Sequence, residues 1–263
     1  DDGTHLAVGH ANGHIFTWEL SKCSNYLIHI SPLPANKKIR VDGHIEGSQI
    51  IHLGFIGTRH SALVSGDVHG MAFAHNATFT LLGRLVQSVK LIGRYPQELQ
   101  SADMPGDLKP STLFAMENLS HRTGDTDIGL VAVITPNLLG LITLYPAPKT
   151  QFKTGRPKSV SMLTGLSGCL SWHRSTASRA APLLAYCWSN VVTIVEVHAT
   201  QTYDLDVTLT PKNAKRFVGT QSIVSVRWLN DKVLALVTVT QYLHLLNYDT
   251  MTVSTVLDLS DKH

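Results

Sequence analysis

Short apolar runs separated by turn residues recur along the whole chain. In the first twenty residues, Leu6-Ala7-Val8 is followed by the turn Ala11-Asn12-Gly13, and residues 15–20 then alternate between two faces. Asn-Gly between two such runs is the strongest short-range signal for a β-hairpin. The start of the chain is therefore predicted to be a hairpin, with Trp18-Glu19 in the place where a WD-type repeat carries Trp-Asp.

The hairpin pattern returns further along the chain. Residues 61–66, followed by Asp67-Val68-His69-Gly70, repeat the apolar run and the glycine-ending turn of the opening hairpin. Equivalent strands recur at intervals of roughly 50–65 residues, longer than the ~40–45 residues of a standard WD repeat. They begin near Leu6, Leu63, Leu130, Leu183 and Leu234. The repeats predict an all-β fold, a divergent WD-like β-propeller.

About five blades are predicted, and the first is incomplete because its innermost strand is missing. Propellers close with typically 4–8 blades, so the chain is expected to be one propeller fragment, 1–263, of a seven-bladed ring in a longer protein. No long helix is required, and residues 86–93 are interpreted as a strand despite near-helical spacing of the apolar residues around them. The predicted blades are residues 1–47, 48–110, 111–160, 161–220 and 221–263.

The polar stretches between strands are predicted as connections. They include residues 35–47, 97–109 and 121–127, and a basic loop at 151–159. The segment Lys149–Lys158, which overlaps this loop, contains the cations Lys149, Lys153, Arg156 and Lys158. They are interpreted either as a solvated loop or as a membrane contact, in which each cation would add about 1 kcal/mol of affinity for anionic lipid.

The composition excludes several classes of protein. With 43% apolar and 16% charged residues, the chain cannot be a disordered tail. A net charge of +3 with scattered Lys and Arg does not favour nucleic-acid binding. No apolar run is long enough for a transmembrane segment. The three cysteines, Cys23, Cys169 and Cys187, lack metal-ligand spacing and are expected to be reduced thiols, with Cys169 and Cys187 buried.

The fourteen histidines suggest metal or catalytic chemistry, but their spacing does not support it. His10 and His14 lie across a turn, and His44, His52 and His60 are spaced by eight with no Cys or carboxylate at ligand spacing. Turn and edge histidines are therefore expected. Ser65-Gly66-Asp67 lacks the second glycine of a nucleophile elbow, and phosphate-binding glycine loops are absent from the sequence. No catalytic, cofactor-binding or metal-binding residue is predicted.

The four tryptophans stand at the ends of predicted strands. Packing between blades is the expected role for such large side chains, and lining of a peptide-binding face is the alternative. The residues are Trp18, Trp172, Trp188 and Trp228.

Four segments carry a resemblance to a known family. They are DGTHLAVGHANGHI at 2–15, HLGFIGTRHSALVS at 52–65, DVHGMAF at 67–73 and IGRYP at 92–96. They resemble the N-terminal propeller of the vacuolar protein sorting-associated protein 8 family, in a fungal-type version. The resemblance is most specific over residues 1–96. Beyond that it rests on the strand rhythm and on residues 224–229.

The resemblance implies a function in membrane traffic. Members of this family are large subunits of CORVET, a complex that tethers early endosomal membranes before fusion, with a solenoid and a RING-type domain after the propeller. The resemblance implies a non-catalytic interaction propeller with protein partners: other complex subunits and the early-endosomal Rab GTPase. It also implies a cytoplasmic protein, peripheral on endosomal and vacuolar membranes. The alternatives are a propeller-scaffold enzyme with a site in the channel, or a WD-repeat scaffold of another complex.

Overall fold

The structure is a computed structural model, and the fold is all-β. It describes residues 4–22, 27–35, 41–56, 62–81, 83–95, 112–119, 122–123, 126–158, 160, 167–174, 181–202 and 206–258. Among these residues the helical structure consists of a single 3-10 turn at Leu20–Lys22. The absence of long helices from the described residues agrees with the sequence analysis, because the apolar residues repeat in short strand-length runs.

The first two sheets come from the N-terminal part of the chain. Sheet I has three strands, β1 (His5–Gly9), β2 (Ile15–Glu19) and β3 (Ile28–Ile30). Sheet II has four, β4 (Ile50–Ile56), β5 (Ala62–Asp67), β6 (Ala72–Thr80) and β7 (Gly83–Ile92).

Three further four-stranded sheets follow. Sheet III contains β8 (Ala115–Leu119), which is followed by a two-stranded ribbon of β9 (Arg122–Thr123) and β10 (Thr126–Asp127), and then β11 (Leu130–Ile134), β12 (Leu138–Thr143) and β13 (Lys149–Gly155). Sheet IV contains β14 (Gly168–His173), β15 (Leu183–Trp188), β16 (Val191–Gln201) and β17 (Val207–Val218). Sheet V contains β18 (Ile223–Asn230), β19 (Val233–Thr238), β20 (Tyr242–Asn247) and β21 (Val253–Asp258).

The chain divides into two compact units. Unit 1 comprises residues 1–113 with 144–149, and unit 2 comprises 114–143 with 150–263. In unit 1, Ile15 and Ile28 of sheet I share a core with Ile50 and Leu63 of sheet II. Strands β1 and β4 approach closely, because a Cβ added at Gly9 would lie 2.5 Å from the Ile50 side chain.

Unit 2 has two successive cores. Sheets III and IV share the first, which includes Leu130, Leu141 and Leu184. Sheets IV and V share the second, which includes Val192 and Leu234. All five residues of β11 are buried, as expected for a continuous apolar strand that is covered on both faces.

Most predicted strands are confirmed. The five repeated strand starts fall in β1, β5, β11, β15 and β19, and the ambiguous region around residues 86–93 is the strand β7. Three of the four-stranded sheets and the three-stranded sheet I have consecutive strands as neighbours, as a propeller blade requires. The total of seven blades remains a prediction. Parts of two predicted connections, residues 36–40 and 97–109, lie outside the described residues, as do Cys23 and His60.

Two predicted connections contain strands instead. The prediction of a basic loop at 151–159 is wrong for residues 151–155, since Lys149–Gly155 forms β13 at the edge of sheet III. Its cations alternate with Phe152, which packs against the core of unit 2, so one face of the strand is polar and the other apolar. The polar insert at 121–127 contains the β9–β10 ribbon. Strand β17 was not predicted, because its sequence PKNAKR has the composition of a loop.

Candidate functional site

A chain of hydrogen-bonded polar side chains crosses sheet II. Asp67 Oδ2 lies 2.8 Å from His44 Nδ1, and His44 Nε2 lies 2.6 Å from Ser65 Oγ. Ser65 Oγ is in turn 2.7 Å from His75 Nε2, and His75 Nδ1 is 2.8 Å from the Ser88 hydroxyl. Three strands of the sheet, β5, β6 and β7, and the segment before β4 thus meet in one polar network.

One set of donor and acceptor roles satisfies every group in this network. His44 donates from Nδ1 to Asp67 and accepts the Ser65 hydroxyl proton at Nε2. His75 donates from Nε2 to Ser65 and accepts the Ser88 hydroxyl proton at Nδ1. The other carboxylate oxygen of Asp67 accepts hydrogen bonds from the backbone N–H groups of His69 and Met71, with N···O distances of 2.9 and 3.0 Å. Complete satisfaction is what a buried polar network needs to be stabilising.

The burial of the network sets the protonation of His75. Desolvation, together with the nearby His44, lowers the pKa of His75 to about 3. The imidazole is therefore neutral at physiological pH, as the hydrogen-bond pattern requires.

Asp67, His44 and Ser65 have the connectivity of a Ser-His-Asp catalytic triad. Their environment differs, because Ser65 and Asp67 are 0% exposed and His44 is 2% exposed. Ser65 Oγ is also enclosed between two imidazoles. A nucleophile must reach a substrate atom at about 3–3.5 Å, and a side chain enclosed in a sheet cannot. The network therefore stabilises sheet II in its folded state and is closed to substrates.

The sequence analysis missed this network. The expectation of turn and edge histidines is wrong for His44 and His75, which are both buried. The available signal was the Gly-His and Trp-Asp signature of WD repeats. Gly43-His44 supplies the first pair, while His75-Asn76 on β6 stands near the place of the second. Because His75 stands where a WD repeat carries Trp, the signature of the repeat is not evident from the sequence.

Of the three histidines spaced by eight, His44 belongs to the network and His60 lies outside the described residues. His52 lies on β4 outside the network, and burial lowers its pKa. The other pair, His10 and His14, lies at the exposed turn of the opening hairpin, where His14 Nδ1 is 2.8 Å from His29 Nε2. Within the described parts of the chain, no three His, Cys, Asp or Glu side chains lie close enough to hold a metal ion.

Indole groups join the sheets of unit 2, as the sequence analysis expected. Trp172 on β14 donates its N–H to the Glu117 carbonyl on β8, at 3.1 Å, and Trp188 donates to the Thr135 carbonyl at 2.8 Å. Trp228 on β18 donates to the Ser171 carbonyl on β14, at 3.2 Å. Each bond crosses from one sheet to the preceding one. Trp18 instead stacks on Phe16 within sheet I.

An ion pair lies along the same edge of these sheets. Arg227 Nη1 donates to Glu117 Oε2 at 2.9 Å, so β18 reaches β8 across the strand between them. Burial raises the pKa of Glu117, and the charge and hydrogen bond of Arg227 oppose that rise. This edge is polar and partly accessible, but the Glu117 carboxylate is already paired with Arg227.

Two grooves open between successive sheets of unit 2. The first, of about 240 Å³, lies between β12–β13 of sheet III and β15–β17 of sheet IV, and we call it the β13–β17 groove. The second, of about 270 Å³, lies between the end of β17 and sheet V, and we call it the β17–β21 groove. The first has Lys212 in its wall, whereas the wall of the second contains no Lys, Arg, Asp or Glu among the described residues.

No helix among the described residues has the length and apolar character needed to cross a membrane.

Comparison with known proteins identifies the family. The family model described as Vps8 beta-propeller matches residues 1–263. Vacuolar protein sorting-associated protein 8 of Saccharomyces cerevisiae is 24% identical over 247 residues, which cover 90% of this chain and 18% of that protein. The chain thus spans less than a fifth of the length of this relative.

Solved structures support the fold. The β-propeller domain of Cps50 (Swd1) from Myceliophteria thermophila has a TM-score of 0.62 at 10% identity, covering 99% of this chain and 72% of that one. Saccharomyces cerevisiae Sqt1 has a TM-score of 0.58 at 12% identity, covering 95% of this chain and 57% of that one. Together with the sheets described above, these similarities show a β-propeller, and the family match over the whole sequence shows that the chain belongs to the Vps8 β-propeller family.

Proposed function

We propose that this chain is the non-catalytic interaction propeller of an endosomal membrane-tethering complex subunit, acting in vesicle tethering and in endosome-to-vacuole protein transport. The observation that carries the proposal is the family match over residues 1–263, supported by a relative whose name places it in vacuolar protein sorting. The partners we propose are the other subunits of the complex and an early-endosomal Rab GTPase. The proposed location is the cytoplasmic surface of endosomal and vacuolar membranes, with peripheral attachment.

The physical character of the fold supports docking rather than catalysis. The Ser-His-Asp group of sheet II is enclosed, and the Glu117 carboxylate is paired with Arg227. Sheets cross-linked by indole hydrogen bonds form a rigid support on which connecting loops and grooves can present side chains to a partner.

A binding experiment with the Rab GTPase tests the proposal. Full-length protein would be immobilised and incubated with the early-endosomal Rab loaded with a non-hydrolysable GTP analogue or with GDP. Retention of the GTP form alone is the expected result. Equal retention of both forms, or of neither, would count against Rab docking. Co-purification of the protein with the remaining subunits of the complex tests the tethering-complex assignment separately.

A further inference from the structure

We propose that strand β21 and the β17–β21 groove bind an extended, uncharged segment of a protein partner, which pairs with the open edge of β21 and seats one apolar side chain in the groove. This inference rests on the proposed function of protein docking and specifies where docking occurs and which chemistry the partner presents.

The backbone of β21 presents an open edge. It is the last strand of sheet V, with β20 on one side and no strand on the other among the described residues. Just before it, the Asn247 N–H donates to the Thr252 carbonyl at 2.9 Å. Because hydrogen-bonded and non-hydrogen-bonded pairs alternate along an antiparallel ladder, the N–H and C=O groups of Val253 and Thr255 point away from β20. A further strand can pair with these two residues.

The composition of β21 differs from that of the outer strands of sheets II, III and IV. Natural proteins protect strand edges with charged side chains, Lys above all, and with Pro. Strands β7, β13 and β17 each contain at least two Lys or Arg residues, and β17 also contains Pro211. The sequence of β21, VSTVLD, has no Lys, Arg or Pro, and its Val253, Val256 and Leu257 are exposed. This outer strand is therefore left open to pairing.

A β-bulge restricts the pairing edge to the part of β21 beside the groove. The register with β20 shifts at Val256, which has no residue opposite it. Bulges interrupt regular pairing and bend an edge away from a neighbouring strand. The regular stretch is thus 253–255, and the Val253 and Thr255 side chains both line the groove. A strand paired with this stretch lies directly against the groove.

The groove has the size and lining of a side-chain pocket. Ile223, Leu236 and Thr238 form its buried floor, and Phe217 adds an aromatic ring from β17. The exposed Val218 stands at its rim. At about 270 Å³ the cavity is smaller than the ~300–1,000 Å³ typical of sites for drug-sized ligands. It therefore fits a side chain of a longer segment.

The cations of β17 do not supply charge to this groove. Lys215 Nζ donates to the Tyr248 carbonyl at 2.9 Å and lies 4.0 Å from the centre of the Tyr248 ring. Arg216 precedes Phe217, which lines the groove, so strand alternation places Arg216 on the opposite face of sheet IV. Lys212 lines the β13–β17 groove instead.

The polar groups of sheet V beside the groove are also engaged. A hydrogen bond from the Asp258 carboxyl group to Tyr242, together with its charge, raises the pKa of the Tyr242 hydroxyl. His244 Nδ1 lies 3.0 Å from Thr255 Oγ1. A charged partner side chain would lose its water in the groove without gaining a counter-ion, which is unfavourable. The groove therefore selects an uncharged, apolar side chain.

A partner segment suits this edge better than a second copy of the chain. Two copies of β21 can pair edge to edge, but three regular residues on each side bury far less than the ~1,200–2,000 Å² of a stable protein–protein interface. An extended segment is held by main-chain hydrogen bonds along the edge and gains specificity from the side chain that enters the pocket.

The test uses the full-length protein and defined peptides. A fluorescein-labelled hexapeptide of alternating valine and threonine is titrated and followed by fluorescence anisotropy. One comparison peptide has glutamate in place of valine, and a second carries a methyl group on every backbone nitrogen. Each should bind about tenfold more weakly, because the first brings charge into the groove and the second cannot donate to a strand edge. Equal binding of either comparison peptide would overturn the proposal.

Replacing Thr255 tests the edge itself. Thr255→Pro removes an N–H that points away from β20, whereas Thr255→Val loses the same hydroxyl and keeps that N–H. The proline variant should bind the peptide about tenfold more weakly, and the valine variant less than about twofold more weakly. Indistinguishable affinities of the two variants would refute strand pairing. If thermal unfolding shows that the proline variant does not fold, the methylated peptide decides the same question on the unaltered protein.

A matched pair of charged variants tests the groove. Val218 at the rim and Leu229 at the far end of β18 are 61% and 60% exposed. Val218→Glu should weaken binding about tenfold, whereas Leu229→Glu adds the same charge away from the groove and should change binding less than about twofold. Equal losses would mean that net charge governs binding and would contradict the assignment of the groove.

Further results separate this inference from its alternatives. A dimer in sedimentation equilibrium that dissociates in the Thr255→Pro variant, without peptide binding, would assign the edge to a second copy and overturn the proposal. GTP-dependent Rab retention by a protein that binds no peptide would overturn this inference and leave the proposed docking function intact. Peptide binding by a protein that neither retains the Rab nor co-purifies with other subunits would support the edge and count against the proposed function.

Discussion

Trp172 and Trp228 make the same contact one sheet apart. Each stands on the first strand of its sheet and donates its indole N–H to a backbone carbonyl on the first strand of the preceding sheet, Glu117 for Trp172 and Ser171 for Trp228. The repeat of sheets along the chain is therefore also a repeat of hydrogen bonds between them. Such bonds fix the spacing of adjacent sheets more specifically than apolar packing alone.

Replacing either indole with a benzyl side chain should measure the value of this bond. Trp172→Phe keeps most of the packing but leaves a carbonyl without its donor, so the free energy of unfolding should fall by about 1–3 kcal/mol. Urea denaturation monitored by circular dichroism provides the measurement. Trp18→Phe, at a residue that stacks on Phe16 within its own sheet, is the control and should change stability less. Equal effects would show that packing volume dominates.

The stability of the protein should depend on pH through His75. Its pKa in the folded protein is about 3, well below the ordinary value of 6.5, so the unfolded chain takes up a proton that the folded chain does not. The stabilisation is complete above pH 6.5 and is lost as the pH falls toward 3, at about 1.4 kcal/mol per pH unit. Denaturant titrations between pH 7 and 4 would record this slope.

His75→Gln is the matched variant for that measurement. The glutamine amide can donate to Ser65 and accept from Ser88 without titrating, so the variant should lose this part of the pH slope while remaining folded. An unchanged slope would assign the acid sensitivity to other groups.

Gly93 should be far less replaceable than Gly47. Both have positive φ, +102° and +85°, but a Cβ at Gly93 would lie 2.8 Å from the Met71 Cα, whereas nothing lies within 4 Å of one at Gly47. Gly47→Ala should cost about 1 kcal/mol through backbone strain alone. Gly93→Ala should cost at least about 2 kcal/mol, because the Met71 backbone must also move. Chemical denaturation of the two variants in parallel checks the difference.

The two buried cysteines should resist alkylation in the folded protein. Cys169 and Cys187 are directly opposite each other on β14 and β15, and a hydrogen bond between them, followed by burial, raises the pKa of the Cys187 thiol. Since the thiolate is the reactive form, N-ethylmaleimide should label both residues only as the protein unfolds. Peptide mapping by mass spectrometry after timed exposure would show this. Rapid labelling of Cys187 at neutral pH without denaturant would contradict it.

The sequence predicted the parts of the fold that depend on local pattern. Leu130–Ile134 and Leu183–Trp188 are apolar runs of strand length, and both are buried strands. Strands β13 and β17 were obscured because edge strands bury one face only, and their exposed positions are filled by Lys, Asn and Thr. A periodicity of alternate residues with one large apolar side chain, Phe152, is too weak to distinguish from a loop.

The polar features were less predictable for a different reason. His44 and Ser65 are 21 positions apart, and their contact exists only after β5 is placed beside the segment that precedes β4. Likewise, the groove wall at residues 211–214 depends on a bulge against β16, which no local pattern reveals. Side chains that meet through strand pairing between distant segments cannot be inferred from spacing.

A β-bulge in the pairing of β17 with β16 has a consequence for how the β13–β17 groove could vary among related proteins. Asn213 and Ala214 face a single residue of β16, while Lys212 and Lys215 on either side keep regular partners, Glu196 and Ile194. Deleting one of the two residues would therefore let the strands pair without interruption and would alter no other register. A length change of a single residue could open or close the groove in a descendant sequence, while every blade around it stayed the same.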